Sequence, residues 1–320
     1  MFRTGAARAA ASVFLILLGA YVATASFRVE TIDTAVRLEV ARSLARGDGG
    51  AIPPLRMTTP FGTVGSFPGR DGRHYSVYGP GQSLLMVPLT WAGPGRDAAL
   101  ATLINPVATA ATGAVLVLLG TALGYAVRTS MGTALLFGLA TLAWPQAKFT
   151  FEAPLEMAAG TVAFWLLLRG GRRSVTLAGM AFGFALLVRP SALVLVPALL
   201  WLARGADSRA ARGLLGFGAG AAPFVAAALA YNAYRWGSPL ATGYTQTSYH
   251  YFALQWESWL GMTVSPGRGF FWYSPVLLLA AFAFRRLRVR SVRAFTGGLL
   301  LCGAYLVFLG FVTVWSGDWT

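Results

Sequence analysis

Apolar residues run in long blocks along this chain, separated by short polar stretches. A helix that crosses a bilayer needs about 20 mostly apolar residues. Nine segments follow that pattern: 10–27, 98–127, 131–147, 153–169, 174–189, 191–204, 213–234, 271–284 and 294–315. The fifth and sixth form a tight hairpin about Arg189-Pro190. Two longer mixed segments interrupt the series, 28–97 and the aromatic-rich 235–270, which carries Tyr244, Tyr249, Tyr251, Phe252, Trp256 and Trp259. Residues 82–92 are apolar but too short to span, so they read as interfacial or re-entrant. Within the first long segment, 33–46 has helical spacing. Val36, Val40 and Leu44 share one face, while Asp33, Arg37, Glu39, Arg42 and Arg46 are polar, which predicts an amphipathic helix. The predicted fold class is an all-α polytopic membrane protein. It forms one domain of about nine transmembrane helices, with a long first outer loop carrying amphipathic helices.

Composition strengthens this picture. Of 320 residues, 56% are hydrophobic and 12% charged, about half the charged share of an ordinary soluble domain. The net charge of +15 invites a nucleic-acid reading. The basic residues punctuate apolar runs and form no patch on a soluble domain, so no nucleic-acid partner is expected. Cys302 is the only cysteine, which excludes an intrachain disulfide or a cysteine metal site. Lys148 is the only lysine beside many arginines, in an Ala- and Gly-rich chain, a bias in keeping with a GC-rich bacterial genome. At the start, Arg3 and Arg8 precede an apolar run and Ala23-Thr24-Ala25 resembles a signal-peptidase site. Because many further segments follow, an uncleaved first helix is expected.

The basic residues also orient the chain. With a cytoplasmic N-terminus and one crossing per segment, the inner side holds 14 basic residues and one acid, Asp207. The outer side holds 12 basic and 10 acidic residues, among them Glu30, Asp33, Asp71, Glu152 and Glu156. Basic residues concentrate on the cytoplasmic side of membrane proteins, and the reverse orientation violates that rule. The expected location is a bacterial cytoplasmic (inner) membrane with the working face outside.

Four features carry candidate chemistry. Asp33 follows the first helix closely, where a carboxylate at the bilayer edge could deprotonate an acceptor hydroxyl. Its competing reading is a helix cap paired with Arg37 at i,i+4. Glu152 and Glu156 share a helix face and could hold a divalent cation or a sugar. Against that, acids and Pro154 are favoured at a helix start for dipole and backbone reasons. Arg189, Arg235, Arg268 and Lys148 fall at one predicted level and could clamp a lipid phosphate, or could snorkel to headgroups. The aromatics of the second long segment suit sugar stacking or an interfacial belt. His74 and His250 have no metal-ligand spacing to one another. Gly120/Gly124, Gly179/Gly183 and Gly216/Gly220 read as close helix packing.

Several stretches then resemble one family. Asp33 to Leu44, Asp71-Gly72-Arg73-His74-Tyr75-Ser76-Val77-Tyr78-Gly79-Pro80-Gly81, Tyr231-Asn232 with Trp236-Gly237-Ser238-Pro239 and Gly243-Tyr244, and Ser265-Pro266-Gly267-Arg268-Gly269 with Tyr273-Ser274-Pro275 are the carriers. Together they resemble bacterial C-superfamily glycosyltransferases, the polyprenyl-phosphate-sugar-dependent enzymes related to protein mannosyltransferases and the lipid A aminoarabinose transferase. The resemblance implies an inverting transferase with Asp33 as catalytic base. It implies an auxiliary or metal-binding acid near Glu152 or Glu156, and a substrate loop holding His74, Tyr75 and Tyr78. The donor would be a polyprenyl-phosphate sugar, and the acceptor a lipid, glycan or protein. Where relatives often carry a second acid after the aspartate, this chain has Thr34. Trp315–Thr320 looks like the opening of a further outer loop, so a longer protein or a truncated product is expected. A transporter or flippase is the rival class, and an inactive membrane scaffold the third. Transporters of polar solutes usually place ionisable groups at mid-membrane, and the predicted spans carry none there.

Overall fold

The structure is a computed structural model that describes residues 2–59, 62–246, 253–267 and 269–312. The chain opens with α1 (Phe2–Ala23) and α2 (Ile32–Arg46). A small antiparallel sheet follows: β1 (Ala51–Ile52), β2 (Arg56–Thr59), β3 (Gly62–Pro68) and β4 (His74–Ser76), in the order β1-β4-β3-β2. Then come α3 (Gly81–Met86), α4 (Arg96–Ala101), α5 (Ile104–Ala122), α6 (Val127–Leu139) and α7 (Ala143–Lys148). The bundle continues with α8 (Ala153–Arg169), α9 (Arg172–Val188), α10 (Val196–Arg204) and α11 (Ala210–Trp236). It closes with α12 (Trp256–Thr263), α13 (Phe270–Tyr273), α14 (Leu279–Arg290) and α15 (Val292–Leu309).

Among the described residues four helical stretches are long and apolar enough to cross a membrane: Gly5–Ala23, Arg96–Ala122, Ala210–Trp236 and Val292–Leu309. The other expected spans are helical but shorter or broken. Residues 131–147 divide into α6 and α7, and 271–284 into α13, a 3₁₀ turn and α14. Residues 191–204 open as a 3₁₀ turn at Pro190–Leu195 before α10, since Pro190 and Pro197 each remove a backbone donor. The all-α expectation also gives way in the first long segment. Thr58, Thr59, Thr63 and Val64 suit a pleated backbone, and their strands pair Arg56–Thr59 with Gly62–Gly65.

Helices pack where side chains are small. A Cβ on Gly179 would strike the carbonyl of Phe217, one on Gly220 the carbonyl of Thr176, and one on Gly183 would sit 2.9 Å from Ala221 O. The α9–α11 contact is therefore backbone on backbone, the kind that holds membrane helices together by van der Waals fit. Ser130 of α6 fills the space over Gly120. Both observations agree with the packing role expected of these glycines. On the other side α1 lays Val13, Leu17 and Tyr21 against α5 and α6, and Tyr21 donates to Gly138 O at 2.9 Å.

The bundle has a basic end. Arg290 donates to Gly124 O at 2.7 Å, Arg293 donates to Leu167 O at 2.7 Å and also to Leu202 O, and Gly171 N donates to Ala206 O. These bonds gather the ends of α5, α8 and α10 with the start of α15. The opposite ends of α8 and α9 meet α2 and the sheet module, and the acidic residues converge there.

Candidate functional site

Three sequence-distant segments build one charged cluster, and each is placed for a local reason. Helix α2 is capped by Thr31, whose hydroxyl accepts from Thr34 N, and stops at Gly47, whose φ of 84° suits glycine. Asp33 is thus the second helical residue, and the capping reading passes to Thr31. Val36 and Val40 pack on Ile52, Val77 and Tyr78 as their spacing predicts. The other side is not solvent-facing. Leu38 and Ala41 pack on Met86 and Ala101, and Arg37 is wholly buried. Helix α8 starts at Ala153 with Pro154 in its first turn and Glu152 at its cap position. Helix α9 stops at Val188 because the residue before a proline is biased away from helical geometry. Arg189 accordingly turns extended, at φ −153°, ψ 128°.

Arg37 is the hub. Its Nη2 lies 2.6 Å from Glu152 Oε2 and 3.8 Å from Asp33 Oδ2. Its Nη1 donates to Thr150 O at 2.8 Å, and its guanidinium lies 4.2 Å from the centre of the Tyr78 ring. The Tyr78 hydroxyl donates to Asp33 Oδ1. Around the hub, Asn105 donates to the carbonyls of Phe149 and Phe151, fixing the turn that carries Thr150 and Glu152. Exposure separates the two acids. The Glu152 side chain is 6% exposed, whereas that of Asp33 keeps 22% and is the carboxylate that solutes can reach.

The electrostatics follow. Burial raises the Asp33 pKa above the ordinary carboxylate value. Arg37 and the Tyr78 hydrogen bond pull it down and Glu152 pushes it up, with a net rise. Burial would also raise Glu152, but Arg37 first and Arg189 next outweigh it and hold that carboxyl below its usual value. Burial and the neighbouring Asp33 charge keep the Tyr78 hydroxyl protonated, so it remains a donor. Asp33 is therefore the more basic carboxylate of the pair, as a proton acceptor requires.

Arg189 links this cluster to a cavity. It is close enough to Glu152, Tyr244, Glu156 and Tyr305 to act on each electrostatically. It also lines a cavity of about 500 Å³ with Glu156, Ser191, Tyr305 and the apolar Leu142, Phe270 and Phe308. Ser191 donates to Glu156 Oε2 at 3.1 Å. A second, mostly apolar cavity of about 360 Å³ between α8, α10 and α15 shares Glu156, Met157 and Tyr305 with the first.

The remaining expected site residues are placed differently. Arg235 is buried, and its Nη1 donates to Ser76 O at 2.6 Å and Tyr78 O at 3.0 Å, with Nη2 on Asn232. It is committed to holding the Tyr78 loop on α11 and is no phosphate clamp. Tyr75 bonds Asp71 at 2.8 Å and its ring packs on Tyr234, while His74 Nδ1 lies 3.4 Å from Ser66 Oγ. Of the expected substrate loop only Tyr78 reaches Asp33. Lys148 ends α7, two residues before Thr150, and forms no ion pair among the described residues. Arg268, with His250, Tyr249, Tyr251, Phe252 and Trp315–Thr320, lies outside the described residues. Among the described residues no three His, Cys, Asp or Glu side chains converge as a metal-ligand set. Of Glu152 and Glu156, the pair expected to hold a divalent cation, Glu152 is paired with Arg37 and Glu156 accepts from Ser191 in the wall of the cavity that Arg189 lines. Sequence reading missed Arg37 as the hub, and missed Ser191 and Tyr305. Arg37 reads as a polar-face residue until another helix is packed over that face.

The chain is mostly helical, with four helices among the described residues long and apolar enough to cross a membrane, and it carries a buried charged cluster at one end of the bundle. Comparison with protein-family models, with curated proteins and with solved structures finds no match.

Proposed function

We propose that this chain is an integral-membrane glycosyltransferase of the polyprenyl-phosphate-sugar type, with its site on the non-cytoplasmic face. The observation that carries the reading is the meeting of Asp33 and Glu152 on Arg37, with Arg189 acting on Glu152 and lining an apolar cavity. Such a cavity suits a lipid-linked donor, and the cation at its polar end suits the phosphate of that donor.

In this mechanism Arg189 stabilises the phosphate leaving group as negative charge develops on it. Asp33 Oδ takes the proton of the acceptor hydroxyl. The hydroxyl oxygen attacks the anomeric carbon as the bond to the phosphate oxygen breaks, with inversion. Polyprenyl phosphate leaves as an anion, so one carboxylate suffices where glycoside hydrolysis uses two. Tyr78 and Arg37 orient Asp33. Glu152 keeps Arg37 in place.

The test is incubation of membranes holding the full chain with labelled polyprenyl-phosphate sugars. Asp33→Asn should abolish transfer while the protein remains folded in the membrane. Retained transfer in that variant would overturn the assignment of the base. Uptake of label into vesicles without covalent transfer would instead favour a transporter or flippase, and binding without turnover a scaffold.

A further inference from the structure

At the basic end of the bundle, α14 is poorly accounted for by packing within the chain. None of its residues is buried, and Phe282 and Val289 are each 82% exposed. It is nevertheless held in place. Arg290 at its end donates to Gly124 O and lies 4.4 Å over the Tyr125 ring. Between α14 and the α5–α6 corner lies a cavity of about 590 Å³, lined largely by apolar side chains such as Leu116, Leu119, Leu123, Leu279, Phe282 and Leu287. Arg286 stands in its wall.

The charge around this slot is one-sided. Arg285, Arg286, Arg288, Arg290 and Arg293 fall within nine residues, and no acidic residue occurs between Glu257 and Asp318. The ion pairs found among the described residues involve Arg37, Arg42, Arg46 and Arg73, all in the sheet module or α2. Arg290 and Arg293 are engaged with backbone carbonyls. Arg285, Arg286 and Arg288 are left as exposed cations on α14, and Arg286 lines the apolar slot.

We propose that this slot binds an anionic phospholipid, with an acyl chain between α14 and α5–α6 and the headgroup phosphate among Arg285, Arg286 and Arg288. The two halves of the site call for the two halves of one molecule. A free phosphate leaves the apolar slot unfilled, and a zwitterionic lipid returns a positive charge to the arginines. Clustered basic residues beside a membrane helix select anionic headgroups for this reason. The volume falls within the ~300–1,000 Å³ of ordinary small-molecule sites. The site lies at the bundle end opposite the Asp33 cluster and is independent of the reaction assigned there.

The test is native mass spectrometry of the full chain in detergent. It is titrated with phosphatidylglycerol, with phosphatidylcholine of the same acyl chains, and with inorganic phosphate. Phosphatidylglycerol should be retained in preference to phosphatidylcholine, and inorganic phosphate should neither bind nor compete. Removing two of the surface cations in Arg285→Gln/Arg286→Gln should weaken phosphatidylglycerol about 30-fold and leave phosphatidylcholine unchanged. Ala283→Phe, which fills the slot without touching the charge, should weaken both lipids. Equal affinity for the two lipids, phosphatidylglycerol binding unaffected by either change, or competition by inorganic phosphate would overturn the proposal.

Discussion

Replacing Arg37 by methionine tests the charged cluster most directly. The guanidinium is fully buried and 2.6 Å from Glu152. At that separation the direct attraction is ~6 kcal/mol for an effective dielectric near 20, before the desolvation of both groups is subtracted. Methionine preserves much of the packing volume and leaves Glu152 buried without its main partner, a change that costs about 3–5 kcal/mol for buried pairs. Arg189 still acts on Glu152, so the lower part of that range is expected at pH 7. The loss should also depend on pH. In the native chain the Glu152 pKa is depressed, so its contribution is full above the unfolded value and is lost as pH falls through the folded one. In the variant burial opposes ionisation of that carboxyl without the Arg37 charge to offset it, so as pH is lowered from about 7 to 5 the folded state takes up its proton more readily than in the native chain. The stability gap between the two proteins should therefore narrow over that interval. Arg37→Met/Glu152→Gln, which removes both charges, should recover most of the loss. The assay is denaturant unfolding in micelles followed by tryptophan fluorescence at pH 7, 6 and 5. A gap below about 1 kcal/mol, the value of an exposed pair, would refute the reasoning. So would a gap constant with pH, or a double variant no more stable than the single one.

Other outcomes follow from the same geometry. Tyr78→Phe removes a hydrogen bond that favours ionised Asp33, so the acid limb of the transfer rate should move to higher pH; an unmoved limb would mean that Asp33 is not the titrating base. Gly79→Ala places a Cβ 2.6 Å from Val188 O, which should push the Tyr78 loop off the end of α9 and lower transfer more than it lowers donor binding; unchanged kinetics would show that this seat is unimportant. Arg235→Gln should leave the carbonyls of Ser76 and Tyr78 short of donors and destabilise the sheet module by about 2–4 kcal/mol, seen as faster amide exchange over 62–78. If Arg235 were instead a phosphate clamp, the change would raise the donor KM with exchange unaltered.

Much of the molecule is legible in the chain because its causes are local. Apolar blocks of helical length exist in the sequence before any packing, and so do the glycine spacings that let α9 and α11 touch. Val36 and Val40 announce their buried face through a period of four. Asp33, Glu152 and Arg189 could be nominated because each sits beside a boundary that the sequence itself marks: the end of the first apolar block, Pro154 or Pro190. What the chain alone could not settle was company. Arg37 lies on the polar face of an amphipathic helix, and only the packing of the α7–α8 turn over it turns that face into an interior. Arg235 carries the same charge as Arg189 at a similar helix end, yet its Nη1 is taken by the carbonyls of the Tyr78 loop and its Nη2 by Asn232. The sheet rests on pairing between strands of two to seven residues, too short to outweigh helical expectation until their partners are known. Sequence determined which groups were available at the two ends of the bundle. Tertiary structure decided which of them are neutralised, which are spent on backbone, and which remain free to act, because those outcomes depend on distances between residues more than a hundred positions apart.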